Sequence, residues 1–221
     1  RHDPGADHRR GRWLFHPGLI LIMEAFRTQE RLILASGSPR RRDFLAELGI
    51  AFEVRVADID ETPQPEEQPV DFVARLSREK AQAVEQPGAW VLAADTAVVV
   101  DGEILGKPGD AAEACAMLML LSGRWHEVWT GFSLCRQATG ESCAKTVCTK
   151  VRFLELTPEL CRAYVNTGEP LDKAGAYGIQ GKGCFLVPEI SGSYTNVVGL
   201  PMTEVLEALL HHKVIALRDG L

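Results

Sequence analysis

The segment at residues 31–49 constrains the fold more than any other part of the chain. Arg31–Ala35 is a short apolar run that leads directly into Ser36-Gly37-Ser38-Pro39, a sequence typical of a tight turn. Ser38 suits the N-cap of a helix, and Pro39 suits its first position, where a backbone N–H is not needed. Apolar residues at helical spacing follow. The segment therefore predicts a strand, a tight turn and a helix in succession.

Strand and helix signals alternate through the rest of the chain. Apolar spacing predicts helices at 70–86, 110–121, 157–168 and 201–212. Strands are predicted at 52–56, 90–94, 127–136 and 142–156, with further β character in the glycine-rich stretch 171–190. Asp101-Gly102 favours a tight hairpin, and Asp110 with Glu113 is a variant of the capping box. This order predicts a mixed-sheet α/β or α+β protein.

The composition is that of an ordinary globular protein. The chain has 221 residues, of which 46% are hydrophobic and 24% charged. Its 24 Lys and Arg residues against 30 Asp and Glu residues give a net charge of -6, which argues against coating a nucleic acid polymer. No apolar run approaches the ~18 residues of a membrane span. Six cysteines without zinc-ligand spacing suit a reducing cytoplasm.

The start of the sequence differs in character from the rest. The first methionine is Met23, and the apolar patch before it is interrupted by Pro17 and Gly18. No small-residue cleavage site follows, so a signal peptide is not expected. We expect residues 1–22 to be an extension or a segment added for expression, and residues 23–221 to form one domain.

A group of donors lies at the predicted start of the first helix. A helix N-terminus offers unpaired N–H groups and a partial positive charge. Ser36, Ser38, Arg40 and Arg41 add hydroxyl and guanidinium donors at the same place. Such an arrangement suits a polyphosphate. The alternative is a capped helix with solvated arginines.

Further candidate residues lie directly after the strand predicted at 90–94 and in two other parts of the chain. A carboxylate held at the end of an apolar strand, as predicted for Asp95, can bind a divalent cation or accept a proton from water. Thr96 beside it can hydrogen-bond a substrate. Lys80 on a predicted helix and Lys107 between a glycine and a proline add positive charge. The alternatives are a turn-forming aspartate and solvated lysines.

The acidic loop at residues 58–69 allows a different interpretation. Asp58-Ile59-Asp60-Glu61-Thr62 matches D-x-D-x-T, the signature of haloacid-dehalogenase-like phosphatases, in which Asp58 would be the nucleophile. A strand, helix and strand precede it here, and prolines follow at once. Asp60 or Glu61 can equally serve as a metal ligand or as a carboxylate on a mobile loop.

Six short motifs occur in the order found in Maf proteins. They are SGSPRR at 36–41, REK at 78–80, ADT at 94–96, KP at 107–108, LDKAGAYGIQG at 171–181 and GSYTNVVGLP at 192–201. The chain resembles this family from about residue 32 to residue 212. The resemblance implies an inosine-triphosphatase-like (Maf/Ham1) fold, an elongated mixed sheet flanked by helices with a central cleft. It also implies a nucleoside triphosphate pyrophosphatase that cleaves between the α- and β-phosphates.

The resemblance also implies roles for individual residues. Asp95 corresponds to the family's catalytic acid/base, and the expected cofactor is Mg²⁺ or Mn²⁺. Asp95 would either orient the attacking water or hold this ion, and the acidic loop offers Glu61 as a further metal ligand. The specificity-associated positions are Arg40, Thr96 and Gln180. The phosphate-side positions are Ser36, Ser38, Arg41, Lys80 and Lys107.

The motifs GAYGIQG and GSYTNVVGLP are similar to the branch of the family that acts on dTTP and UTP. The resemblance further implies a homodimer, and a role in clearing modified nucleotides or in arresting cell division. A non-catalytic, nucleotide-sensing regulator of septation is therefore a further alternative to the pyrophosphatase.

Overall fold

The computed structural model describes residues 25–84 and 86–218. The extension expected at residues 1–22 lies outside these residues. The strands are β1 Phe26–Thr28, β2 Leu32–Leu34, β3 Glu53–Val54, β4 Trp90–Val100, β5 Glu103–Leu105, β6 Trp125–Arg136, β7 Glu141–Arg152, β8 Glu189–Ser191 and β9 Ile215–Leu217. The α-helices are α1 Pro39–Glu47, α2 Pro69–Ala83, α3 Ala111–Leu121, α4 Pro158–Val165, α5 Tyr194–Val198 and α6 Met202–His211.

The main sheet is mixed, which confirms the predicted fold class. Its strands lie in the order β3-β2-β4-β6-β7-β8, and β5 also pairs with β4. The pairs β2–β3 and β2–β4 are parallel, whereas β4–β6, β6–β7 and β7–β8 are antiparallel. β1 and β9 form a separate antiparallel pair.

One edge of β4 is interrupted in its middle. On that edge β4 pairs with β2 at residues 90–92 and with β5 at residues 98–100. Between these points, no strand of the described residues pairs with residues 93–97 on that edge, although β6 pairs with them on the other. Asp95 and Thr96 therefore lie at a gap in the sheet, on an edge of β4 that β2 and β5 leave uncovered.

The predicted end of this strand was wrong. The apolar run does stop at Asp95-Thr96, but the strand continues to Val100 because β6 holds it through an unbroken register from Val91 to Val99. Asp95 is thus fixed in the middle of an eleven-residue strand. Because the strand continues on both sides of Asp95, its carboxylate is held more rigidly than it would be at the end of a strand.

Helix α2 covers the face of the sheet to which Asp95 points. It approaches β6 so closely that a Cβ at Gly131 would collide with the carbonyl oxygen of Val73 in α2. Successive side chains of a strand point to opposite faces, so Asp95 meets Lys80 of α2 while Thr96 points away from that helix. The opposite face carries two cores, one beneath α1 and α6 and one beneath α3 and α4.

Local signals were confirmed at several turns and helix ends. Asp101 and Gly102 both have positive φ, at 53° and 84°, in the tight β4–β5 hairpin. The Asp110 carboxylate accepts a 2.8 Å hydrogen bond from the Glu113 N–H at the start of α3. Ser38 occupies the N-cap of α1, although its hydroxyl makes no capping bond. Within the described residues, no helix is both long and apolar enough to cross a membrane.

The β character predicted for residues 171–190 was wrong. This stretch forms short 3₁₀ segments at Glu169–Asp172, Ala174–Ala176 and Gly181–Leu186, and only its end enters β8. Gly175 and Gly181 have φ values of 66° and 69°, a backbone conformation that a regular strand does not contain. The glycines therefore turn the chain repeatedly, and they bring several of its side chains to the gap in β4.

Candidate active site

A cavity of about 680 Å³ opens at the gap in β4. Its size is within the range of small-molecule sites. Every site residue predicted from the sequence lines it: Ser36, Ser38, Arg40, Arg41, Glu61, Lys80, Asp95, Thr96, Lys107 and Gln180. These residues come from six separate parts of the chain, and the fold brings them together around one cavity.

Two carboxylates and an ammonium group form the centre of the cavity. Lys80 Nζ donates a 2.6 Å hydrogen bond to Asp95 Oδ1, and it lies 2.8 Å from Glu61 Oε1. Asp95 and Lys80 are each only 8% exposed, whereas the Glu61 side chain is 54% exposed. The pair is thus a rigid element of the fold, and Glu61 reaches it from the surface.

The donor set at this centre suits a hard divalent cation. The carboxylates of Asp95 and Glu61 both contact the Lys80 ammonium group, so two oxygen ligands lie at the same point of the cavity. Among the described residues, no group of three or more His, Cys, Asp or Glu side chains could hold a metal ion. Mg²⁺ commonly takes one or two carboxylates and completes its shell with water and phosphate oxygens. The two carboxylates fit that mode of binding.

The loop that carries Glu61 is fastened to α2. Arg75 donates two 2.7 Å hydrogen bonds to the two carboxylate oxygens of Glu67, and a longer one to the carbonyl oxygen of Thr62. The bonds with Glu67 raise the pKa of Arg75 and hold the pKa of Glu67 below its usual value. This planar, two-bond contact fixes the loop on both sides of its prolines and so places Glu61.

Arg41 connects three segments at the opposite side of the gap. Its guanidinium donates to Ser36 Oγ at 3.0 Å, to the Ala94 carbonyl at 2.7 Å, to Thr96 Oγ1 at 3.1 Å and to the Gly199 carbonyl at 2.7 Å. Burial lowers its pKa, and the Asp95 charge opposes that effect. Four of the five N–H groups of the guanidinium are therefore engaged by the protein itself.

The other predicted cations are more accessible. Arg40 is half-buried, Lys107 is exposed, and both line the cavity. The Lys107 loop is attached to the turn at Gly175, whose N–H donates to the Gly106 carbonyl. Two accessible positive charges therefore lie at the cavity wall, where they can attract an anionic ligand.

Three further residues line the cavity, although none was assigned a role in the site from the sequence. Lys173 Nζ donates to Asp172 Oδ1 at 2.6 Å and to the Glu169 carbonyl at 2.7 Å. The bond with Lys173, with help from Arg40, lowers the pKa of Asp172. Tyr177 is buried at the wall of the same cavity. All three lie in the motif at 171–181, which was noted as a motif without roles for these positions.

With this geometry established, comparison with known proteins identifies the family. Residues 31–212 match the family described as Maf-like protein. The chain belongs to the Maf-like family. Its relatives include a protein of Desulfotalea psychrophila named dTTP/UTP pyrophosphatase, 50% identical over 87% of this chain and 100% of the relative. A protein of the same name from Myxococcus xanthus is 55% identical over 82% of this chain and 92% of the relative.

Solved structures of Ham1 proteins also resemble this Maf-like chain. The Ham1 protein of Staphylococcus aureus aligns with a TM-score of 0.47 at 14% identity, over 83% of this chain and 100% of that chain. A Ham1 protein of Coxiella burnetii aligns with a TM-score of 0.40 at 19% identity, over 57% of this chain and 73% of that chain.

The phosphatase interpretation finds no support in the Maf-like structure. Asp58, its proposed nucleophile, is exposed and is not among the residues that line the cavity. Asp60 is also exposed, and its carboxylate accepts a hydrogen bond from the Thr62 N–H within its own loop. The D-x-D-x-T match is therefore a local turn, and only the neighbouring Glu61 reaches the site.

A buried histidine supports the wall of the Maf-like cavity. His126 Nε2 lies 2.8 Å from the Tyr177 hydroxyl, and the rings of both residues pack edge-on against Phe153. His126 is 3% exposed, and burial lowers its pKa to about 4. The neutral imidazole is therefore the form that the folded protein accommodates.

We expect acid to destabilise the protein through His126. Between pH about 6.5 and about 4 the unfolded chain binds a proton that the folded protein does not, so the free energy of unfolding falls as the pH falls. The expected loss from pH 7.5 to pH 4.5 is about 2 kcal/mol. Urea unfolding of His126→Gln, with exposed His211→Gln as control, measures it. Equal pH dependence in all three proteins would contradict the assignment.

Proposed function

We propose that this protein hydrolyses dTTP and UTP to the nucleoside monophosphate and pyrophosphate, with Mg²⁺ or Mn²⁺ as cofactor. The observation that carries the proposal is the convergence of Asp95, Lys80 and Glu61 in a cavity that is also lined by Arg40 and Lys107. The substrate class is supported by the names of relatives at 50% and 55% identity, whose matches span most of the chain.

The cations would bind the triphosphate and stabilise its cleavage. A nucleoside triphosphate carries several negative charges, which Arg40, Lys107 and the Ser38 hydroxyl can contact from the cavity wall. Negative charge grows on the pyrophosphate as it leaves. Cations already held in place by the fold stabilise that charge without reorganising, and this is usually the largest contribution to such catalysis.

Asp95 is the proposed proton acceptor. Lys80 binds its Oδ1 and fixes the carboxylate, so Oδ2 is the oxygen that would face the attacking water. The water oxygen forms a bond to the α-phosphorus, and the bond from that phosphorus to the bridging oxygen breaks. The electron pair of the broken bond leaves with pyrophosphate, and one proton of the water moves to Asp95.

The metal ion would be held by Asp95 and Glu61. When bound, a divalent cation supplies charge that neutralises the phosphate oxygens and polarises the anhydride. Glu61 is the more accessible of the two carboxylates, and its loop is fastened by Arg75 and Glu67. The loop is therefore already held where the Glu61 carboxylate would bind the ion.

The base would be recognised by Gln180, which lines the same cavity as Asp95. The amide of Gln180 offers a donor and an acceptor, which can match the edge of a pyrimidine. A site that hydrogen-bonds one base leaves its own groups unpaired with another, and this gives strong discrimination. Thr96 is held by Arg41 and Thr130, and it would contact the substrate from β4.

A panel of nucleoside triphosphates tests the proposal. We expect pyrophosphate and the monophosphate from dTTP and UTP with Mg²⁺ or Mn²⁺, and much lower rates with purine nucleotides. Orthophosphate with a covalent aspartyl-phosphate would instead indicate a phosphomonoesterase. Tight binding of nucleotides without turnover at either metal would support the nucleotide-sensing regulator.

We also propose that the protein acts in the cytoplasm as a homodimer. The six cysteines are all free thiols, which is the state that a reducing compartment maintains. Light scattering of the purified protein, read against the 24.2 kDa chain mass, distinguishes a dimer from a monomer.

A further inference from the structure

The turn at residues 177–183, which carries Gln180, is held by side chains from another part of the fold. Gln180 is exposed at the cavity, directly before the 3₁₀ segment Gly181–Leu186. An exposed amide on such a turn can distinguish bases only if the turn keeps its position. Two residues outside the turn, Tyr164 at the end of α4 and Glu169 just beyond it, bind the backbone on both sides of Gln180.

Tyr164 holds the turn before Gln180. Its hydroxyl accepts a 3.2 Å hydrogen bond from the Gly178 N–H, and it donates a 2.9 Å bond to Glu169 Oε1. The tyrosine is only 3% exposed and belongs to the core beneath α3 and α4. The contact therefore links the turn to a rigid part of the molecule.

Glu169 holds the turn after Gln180. Its Oε2 accepts a 2.8 Å bond from the Lys182 N–H, and its Oε1 accepts a 3.0 Å bond from the Gly183 N–H. Partial burial raises the pKa of Glu169, but these bonds and the one from Tyr164 outweigh it and leave the pKa below its usual value. The carboxylate thus gathers three donors, which a neutral amide could not match.

Close packing restricts the conformations that this turn can adopt. A Cβ at Gly183 would collide with the Gly178 carbonyl and the Tyr164 hydroxyl, and a Cβ at Gly181 would approach Glu169 Oε2 to 2.7 Å. The two ends of the turn therefore touch each other and the Tyr164–Glu169 pair at once. Any loosening of the pair should move Gln180 more than it moves the distant Asp95.

We propose that Tyr164 and Glu169 form a positioning pair that fixes Gln180 and thereby sets base selectivity. This inference rests on the proposed function and concerns the same cavity. Neither residue lines the cavity, so neither is assigned a contact with substrate. Their effect on the reaction runs through the position of Gln180 alone.

The expected result is a loss of discrimination with little loss of turnover. For Tyr164→Phe and for Glu169→Gln, we expect the ratio of kcat/KM for dTTP to that for dCTP to fall about tenfold, the effect of one lost hydrogen bond. The kcat for dTTP should stay within about twofold, because Asp95 and Lys80 are untouched. Glu159→Gln, which removes an exposed ion pair with Arg162 on the same helix, is the matched control and should change neither value.

A double-mutant cycle shows whether the pair acts through Gln180. Gln180→Ala should lower the ratio by itself, and adding Tyr164→Phe to it should then have no further effect. Amide hydrogen exchange at Gly178, Lys182 and Gly183 should accelerate in Tyr164→Phe and in Glu169→Gln but not in Glu159→Gln. The exchange measurement tests the position of the turn even if the protein hydrolyses no nucleotide.

Three results would overturn the inference. They are an unchanged ratio in both variants, effects of Tyr164→Phe and Gln180→Ala that simply add, and equal losses of kcat for every nucleotide. If the wild-type protein releases pyrophosphate from no nucleotide, the proposed function fails separately. In that case calorimetric affinities for dTTP and dCTP replace the kinetic ratio, and an affinity ratio unchanged in the variants would still refute the positioning pair.

Discussion

Asp95→Asn is expected to lower kcat for dTTP by about 10³-fold while the protein stays folded. The asparagine side chain has the same size and remains in mid-strand, so the packing of β4 is preserved. It removes the charge that pairs with Lys80 and the oxygen that would accept a proton from water. Pyrophosphate release at saturating nucleotide and metal measures the loss.

Asp101→Asn is the matched control for this variant. Asp101 lies in the turn at the end of the same strand, where its exposed carboxylate pairs with Arg124. The same chemical change there should leave kcat within about twofold. A kcat for Asp95→Asn within about tenfold of wild type would remove Asp95 from the reaction.

The metal dependence of Asp95→Asn separates two roles for the carboxylate. If Asp95 mainly holds the cation, raising the Mn²⁺ concentration should restore much of the rate, because Glu61 remains as a ligand. If Asp95 mainly accepts the proton, added metal should not help. Either result keeps Asp95 in the mechanism and assigns its function.

The parts of the fold that follow from short-range chemistry could be predicted from the sequence. The turn into α1 depends on Pro39 and the residues beside it, and the start of α3 depends on Asp110 and Glu113, which lie three residues apart. The tight turn after β4 depends on Asp101 and Gly102 alone. Each of these features depends on residues that are only a few positions apart, so the local sequence is sufficient to predict it.

The gap in β4 could not be predicted in this way. It exists because β2 and β5 use the same edge of β4 and leave residues 93–97 between them. The continuation of β4 past Asp95 depends on its pairing with β6, from Thr96 with Thr130 to Val99 with Glu127, and these partners are distant in the chain. Long-range pairing therefore made the site, although the residues that line it were identified from their motifs.

The turn at residues 177–183 illustrates the same limit. The glycine-rich stretch was predicted to have β character, but Tyr164 and Glu169 hold this turn in irregular backbone that leads into a 3₁₀ segment at Gly181. These contacts join residues up to 14 positions apart through side chains, and no periodicity in the sequence records them. Propensity was overruled here by tertiary hydrogen bonds.

Three consecutive arginines show how strongly geometry separates similar residues. Arg40, Arg41 and Arg42 lie on the first turn of α1, where successive side chains point in different directions. Arg40 lines the cavity, Arg41 is bound by four protein acceptors, and Arg42 is exposed. We therefore expect the same substitution to have three different consequences at the three positions.

Arg41→Met should be costly for both stability and activity. It would remove the Arg41 donor from the buried carbonyl oxygens of Ala94 and Gly199 and leave Gly199 only a 3.5 Å bond from Thr96, at a cost of about 3 kcal/mol in the free energy of unfolding. Thr96 would lose a partner that positions its hydroxyl, and Ser36 would lose its link to β4. Misplacement of this kind should lower kcat/KM for dTTP by about 100-fold.

Arg40→Met and Arg42→Met complete the comparison under the same conditions. Arg40→Met should raise KM for dTTP and change the free energy of unfolding by less than about 0.5 kcal/mol, because Arg40 lies at the cavity wall. Arg42→Met should change neither quantity. Urea unfolding and steady-state kinetics on the three variants measure both effects. If Arg41→Met is as stable as Arg40→Met, the guanidinium does not hold the three segments together, and its place in the cavity wall must then be explained by direct contact with phosphate.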